Sequence, residues 1–355
     1  MKQEIRFCKG FDGARLAYAL TGKGPALVKA PHWLTHVEHE WQSPVWRPWL
    51  EALSHSHAML RMDERGSGLS DWDVADISFE AMVRDVESTV DAAGLDRFVL
   101  FGHSQGGTIA VEYAARHPER VSELVLLGAF MRGAALRSPP AKSLAELNAL
   151  MKLMEVGWGR DDPSYRQMFA MQFMPSATLE QIKSLSELQR KSTTPENAAR
   201  IVGSLLSVDV SDAAARVTCP TLIVHARDDR RIPFAEGLEL AGRIPNAQLI
   251  TLETENHILF PNDPAFRQFF DALEAFLPRA PKAPATTTFA SLTPRELQVV
   301  ECMAQGLDNT QIAQKLGMSE KTVRNNVTHV FDKLGVTSRA QAIVLARNNG
   351  LGTGS

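Results

Sequence analysis

The chain has 355 residues, enough for one large domain and one small one. Hydrophobic residues make up 44% and charged residues 22%, a globular balance. No apolar run approaches the ~18 residues of a membrane span, and the polar start MKQEIRFCKGFDG lacks a signal peptide's apolar stretch; a cytoplasmic protein with no membrane partner is expected. The net charge of −3, taken alone, argues against nucleic-acid binding. Its distribution is uneven: from residue 286 on there are seven Lys/Arg and five Asp/Glu, a net of +2, which leaves −5 for the rest. Only the C-terminal part has a balance compatible with phosphate. Cys8, Cys219 and Cys302 lie far apart without metal-type spacing and read as reduced thiols.

In chain order, β-branched and apolar runs predict strands at 4–8, 14–19, 26–30, 57–62, 97–101, 123–127, 221–225 and 248–252. Asp12-Gly13 signals a hairpin between the first two. Helical patterns follow several later strands, as at 106–116. Such alternation predicts an α/β domain over 1–278, built on a mostly parallel sheet of eight strands. Residues 131–215 depart from it, reading as helices with no strand between them. They predict a cap over the carboxyl edge of the sheet, where α/β folds bind ligands. The run from Pro278 to Thr288 has three prolines among small residues and predicts an extended linker at 279–290. Beyond it the pattern is wholly helical, at 294–304, 309–315, 319–334 and 338–349, a small all-α domain over 291–355.

Gly102-His-Ser-Gln-Gly106 lies between a strand pattern and a helix pattern. Ser104 is therefore expected on a sharp strand-to-helix turn, with its hydroxyl exposed and the Gln105 N–H aimed at an oxyanion. A serine nucleophile needs a base, and the base needs an orienting carboxylate. Asp228 or Asp229, after the seventh strand, supplies the acid, and His257, after the eighth, supplies the base. This constellation resembles the α/β-hydrolase family over about residues 5–278, and Asp63-Glu-Arg-Gly-Ser-Gly-Leu-Ser70 is similar to that family's D-x-R-G-x-G-x-S segment. The resemblance implies Ser104, Asp229 and His257 as the triad, because the family's acid stands four residues before the proline of its loop. By position it also makes the Trp33 N–H the second oxyanion donor. Here the chain departs from the family: Pro31-His32-Trp33 stands where His-Gly is common, which implies a loop displaced or shaped to hold a ligand.

Two further clusters carry weaker signals. His32, His36, His39, His55 and His57 share no register that would gather three around a metal, so neither metal nor cofactor is expected. Six of the twelve methionines fall in 131–215, either as core or as a deformable apolar pocket over Ser104. The pocket reading assigns ligand contacts to His32, His103, Phe130, Met154, Trp158 and Met171.

In the C-terminal part, Ile312, Ala313 and Leu316 share a helix face, Gly317-Met318 turns, and Ser319 caps the next helix. This is a helix-turn-helix pattern whose second helix is stripe-buried through Val323, Val327, Val330, Phe331 and Leu334. Lys321, Thr322, Arg324, Asn325, Thr328 and Lys333 fall on its outer side and suit phosphates and base edges. Leu292-Thr-Pro-Arg-Glu-Leu, Asn309-Thr-Gln-Ile-Ala and Ser319-Glu-Lys-Thr-Val-Arg closely resemble the LuxR/GerE-type DNA-binding domain over about 290–350. The resemblance implies base reading by Arg324, Asn325 and Thr328, phosphate contact by Lys321, Thr322 and Lys333, and a dimer contact along the last helix. It therefore implies a homodimer on a pseudo-palindromic double-stranded DNA operator. The two parts together read as a transcription regulator whose sensor binds a small, largely apolar carbonyl compound such as an ester, lactone or ring-cleavage acid. The rival reading is a true serine esterase whose helix-turn-helix tail localises or autoregulates it.

Overall fold

A computed structural model describes residues 2–137, 144–158, 162–277, 289, 291–336, 338–348 and 351–352. All eight predicted strands form, and their ends differ by at most two residues. They are β1 (Glu4–Lys9), β2 (Arg15–Thr21), β3 (Ala26–Lys29), β4 (Ala58–Met62), β5 (Phe98–His103), β6 (Val121–Leu127), β7 (Thr221–Ala226) and β8 (Ala247–Leu252). They join in one sheet in the order β1-β2-β4-β3-β5-β6-β7-β8. The β1–β2 and β2–β4 pairs are antiparallel, and all later pairs are parallel. Gly13 turns the first hairpin at a φ of 90°. β5 and β7 are buried along their whole length, as unbroken apolar strands covered on both faces should be. The strand order reverses between β3 and β5, so the carboxyl ends of β3, β5, β6, β7 and β8 surround one crevice.

The helices Leu144–Gly157, Pro163–Met171, Leu179–Ser192, Pro195–Leu206 and Ser211–Arg216 fall between β6 and β7, within the segment predicted as a cap. An isolated bridge between Arg132 and Asp209 closes its base. The cap is tied to the sheet's edge, since the Phe173 carbonyl accepts from the N–H groups of both His257 (2.9 Å) and Ile258 (3.0 Å). The methionines do not form one pocket. Met154 and Met174 are buried in the core, whereas Met171 is 49% exposed.

The Asp63-Glu-Arg-Gly-Ser-Gly loop is a buried brace. Asp63 accepts from the N–H groups of Val37 (2.7 Å) and Leu69 (2.8 Å). Arg65 forms a two-point pair with Asp85 at 2.7 and 2.6 Å.

The chain divides into two compact units, Met1–Leu277 and Pro278–Ser355. Most of the expected linker, residues 278–288 and 290, lies outside the described residues. Phe289 packs in the core of the second unit with Val300, Ala304, Val330 and Ala346. That unit contains the helices Pro294–Ala304, Asn309–Leu316, Glu320–Leu334 and Arg339–Asn348. Their ends are marked by sequence. Thr293/Glu296 and Asp308/Gln311 are capping boxes, Ser319 accepts from the Thr322 N–H, and Gly317 and Gly335 close helices in the left-handed region. Val323 and Val330 are fully buried, as the predicted inner stripe requires.

Candidate active site and DNA-reading helix

Ser104 is the one non-glycine among the described residues with a positive φ, 55°. A β-strand ending in a helix N-terminus forces this turn, and its neighbours must be glycines for lack of space. A Cβ on Gly102 would lie 2.5 Å from the Gly106 carbonyl oxygen, and one on Gly106 would lie 2.6 Å from the Pro31 oxygen. Gln105 opens the helix Gln105–Arg116, so its N–H belongs to the first turn, which has no carbonyl partner within the helix. Trp33 follows β3 and lines the same pocket as Ser104 and Gln105, and its N–H has no acceptor among the described residues.

Asp229, not Asp228, meets His257. His257 Nδ1 donates to Asp229 Oδ2 at 2.7 Å. Asp229 Oδ1 accepts from the N–H groups of Arg231 (2.7 Å) and Ile232 (2.8 Å). Burial pushes the Asp229 carboxyl up, but His257 and these donors outweigh it and hold the group below its ordinary value. With Nδ1–H committed to Asp229, Nε2 is the free acceptor of the imidazole. It has no partner among the described residues, so no Ser104–His257 hydrogen bond is formed. Gly128, after β6, leaves the room that the imidazole occupies, since a Cβ there would lie 2.9 Å from His257 Cε1.

The pocket beside Ser104 encloses about 520 Å³ of empty space, its open mouth included. Phe130 lines it, as the sequence suggested. The other five predicted ligand contacts do not. His32 is buried with Nδ1 2.6 Å from Lys29 Nζ and Nε2 3.6 Å from Glu40, in a polar cluster that Arg61 completes through Glu40. Burial and the Lys29 charge keep His32 neutral, well below its ordinary pKa. His103 stacks on the His257 ring at 4.9 Å and donates from Nε2 to the His257 carbonyl, so it supports the loop of the base. Trp158 packs edge-on behind Trp33 and donates to the Thr193 carbonyl. Met154 is core, and Met171 faces solvent. Alternating hydropathy marks such residues as apolar or aromatic but cannot say which layer they fill.

Several other residues line the pocket. Phe173, Val202, Leu205 and Leu206 come from the cap, and Arg137 and Arg231 supply two cations. Arg231 stood in the acid's own loop, where its proximity to Asp229 was legible. Glu64, inside the Asp63–Ser70 segment, accepts from the Gln105 side chain at 2.6 Å and so braces the first turn of the helix after Ser104.

On the helix Glu320–Leu334, Lys321, Arg324 and Asn325 are exposed and their side chains meet no partner among the described residues. Thr322 and Thr328 are exposed too, but the Thr322 hydroxyl meets Ser319 and the Thr328 hydroxyl donates to the Arg324 carbonyl. Lys333 departs from the expectation. Its amine bonds both oxygens of Glu296, at 2.9 and 2.7 Å, and holds that carboxyl down to about 2. It is an internal brace between two helices rather than a free phosphate contact.

The family of bacterial regulatory proteins, luxR family, matches residues 290–346, and the serine aminopeptidase S33 family matches residues 51–265. The chain belongs to the α/β-hydrolase family and joins that fold to a LuxR-type DNA-binding domain. It is 30% identical over 230 residues to "Putative carbamate hydrolase RutD" of Pseudomonas savastanoi pv. phaseolicola, covering 62% of this chain and 85% of that one. It is 27% identical to pyrrolizixenacetamide deacetylase of Xenorhabdus hominickii, over 74% of this chain and 95% of that one. Among solved structures, an esterase of Exiguobacterium antarcticum superposes with a TM-score of 0.64 at 22% identity, covering 76% of this chain and 98% of that one. The enol-lactonase of Burkholderia xenovorans LB400 gives 0.61 at 22%, covering 76% and 99%. These superpositions establish the fold. No helix among the described residues is long and apolar enough to cross a membrane.

Proposed function

We propose that this protein is a DNA-binding regulator whose first unit binds a small carbonyl compound and hydrolyses it slowly. The observation that carries the reading is one chain with a LuxR-type domain and, in its other unit, the Asp229–His257 pair beside the strained turn of Ser104. In the hydrolytic step Ser104 Oγ attacks the carbonyl carbon while His257 Nε2 takes the hydroxyl proton. The Trp33 and Gln105 N–H groups receive the oxyanion, and Asp229 stabilises the imidazolium. The intermediate collapses with the leaving group taking the proton from His257. Water then attacks the acyl-serine by the same route, giving the acid and freeing Ser104. Trp33 in place of a small residue at the oxyanion loop favours holding over rapid turnover.

The second unit binds duplex DNA as a homodimer, Arg324 and Asn325 reading bases and Lys321 contacting phosphate. Val344, 57% exposed on the helix Arg339–Asn348, offers an apolar contact to a second copy. The names of the curated relatives, a carbamate hydrolase and a deacetylase, favour the second reading, a true hydrolase with a DNA-binding tail. One experiment separates the two. A fluorophosphonate should label wild type and not Ser104→Ala, and Ser104→Ala, which keeps the pocket, should still change its DNA affinity when ligand binds. If Ser104→Ala binds ligand but its DNA affinity no longer responds, turnover is the signal and the receptor reading fails.

A further inference from the structure

Two guanidinium groups line the pocket beside Ser104, those of Arg137 and Arg231, and no Asp or Glu lines it among the described residues. A mostly apolar wall with two cations and no facing anion is an incomplete charge arrangement. The partners of each arginine show how incomplete. Arg137 donates from Nε to the Arg132 carbonyl (3.0 Å) and lies 3.4 Å from Glu236 Oε1, so its charge is partly met behind the wall. Glu236 Oε2 is taken by the N–H groups of Met131 and Arg132. Arg231 is different, because its guanidinium donates no hydrogen bond among the described residues. Asp229, the acid nearest to it, already receives the Arg231 and Ile232 N–H groups on one oxygen and His257 on the other.

Both cations are held by rings that line the same pocket. Arg137 lies over Phe130 with 5.2 Å to the ring centroid, and Arg231 lies over Phe173 at 5.3 Å. Burial, and after it the nearby Arg137 charge, bring Arg231 down to about 10, which leaves it cationic at neutral pH. Two like charges facing one cavity repel each other until an anion sits between them, and planar guanidiniums match a carboxylate's two oxygens.

We infer that the ligand of this pocket is an ester, lactone or related carbonyl compound that also carries a free carboxylate, held by Arg231 and Arg137 while its carbonyl faces Ser104. The inference rests on the proposed function for the carbonyl end alone. It narrows the ligand class from apolar carbonyl compounds to half-esters and lactone acids, in which a short apolar spacer lies along Phe130, Phe173 and Leu205.

The test uses full-length Ser104→Ala, titrated by calorimetry with monomethyl glutarate and with methyl pentanoate. These esters share the methoxycarbonyl group and the spacer and differ in a terminal carboxylate or methyl. The half-ester should bind roughly 10- to 100-fold more tightly, the range of charge-assisted hydrogen bonds. Adding Arg231→Met should remove that preference, so that the double variant binds the half-ester no more tightly than it binds methyl pentanoate. Arg137→Met should weaken the preference in part. If Arg231→Met melts below the assay temperature, Arg231→Gln replaces it with the same expectation. Equal or tighter binding of the neutral ester, a preference that survives loss of Arg231, or binding of neither ester would overturn the inference. Fluorophosphonate labelling of wild type reads Ser104 separately. Labelling without carboxylate preference keeps the serine chemistry and rejects the carboxylate site, whereas preference without labelling does the reverse.

Discussion

Replacing Lys333 by Met removes a charge, keeps most of the side chain's length, and tests whether that charge serves DNA or the fold. Glu296 is buried to 5% exposure, and Lys333, at 36%, is its cation. The Lys333 hydrogen bond, then the Thr293 N–H, draw the Glu296 carboxyl from 4.5 to about 2. With a third of the amine in water, screening reduces the pair's contribution to about 1 kcal/mol. For a unit of this size, such a loss lowers the melting temperature by roughly 4–8 °C. The group's folded pKa is depressed, so its contribution is present above pH 4.5 and is lost as pH falls toward about 2. All six tryptophans precede residue 160, so their fluorescence reports the first unit alone, while circular dichroism reports both. Lys333→Met should lower a helical transition in circular dichroism and leave the tryptophan transition in place. Its affinity for generic duplex DNA, measured below that transition, should keep the wild-type salt slope. A slope smaller by about 0.9 with unchanged melting means that Lys333 neutralises a phosphate, and the internal-brace reading is wrong.

Gly128→Ala puts a Cβ 2.9 Å from His257 Cε1 at a φ of 54°, which costs about 1–2 kcal/mol and displaces the imidazole; fluorophosphonate labelling should fall at least tenfold in protein that is still folded, and normal labelling would refute the assigned packing. Arg324→Ala should relax sequence preference at one position per half-site, by ~1–3 kcal/mol, in a binding selection on randomised duplexes; an unchanged preference would mean that the register of the recognition helix is wrong. Burial, opposed by the Gln105 hydrogen bond, raises Glu64 to about 8, so its contribution to stability is full below pH 4.5 and is lost as pH rises through 8. Glu64→Gln should flatten that decline between pH 4.5 and about 8 in urea melts, and a decline of unchanged slope would exclude Glu64 as its source.

The sequence by itself determined the architecture. Eight strand patterns, a glycine-flanked Ser104 and the caps of three C-terminal helices are local signals. Period, turn chemistry and caps act within a few residues and survive without knowledge of neighbours. The order serine, acid, histidine was legible because Ser104, the Asp228-Asp229 pair and His257 each follow a strand, and parallel strands bring their carboxyl ends to one edge; the choice of Asp229 came from the family resemblance. Tertiary structure alone decided which side of a layer each residue faces. His32 and His103 look like pocket residues in the chain, but they turn inward to Lys29, Glu40 and the His257 loop. Met171 shares a helix with buried Phe169 and yet faces water. Lys333 looks like a phosphate contact until Glu296, 37 residues away, claims it. Arg137 and Arg231 are surface residues by composition and become pocket cations because the cap folds over β7's loop. Pairing across such separations depends on how whole elements pack, and no window of sequence contains that information.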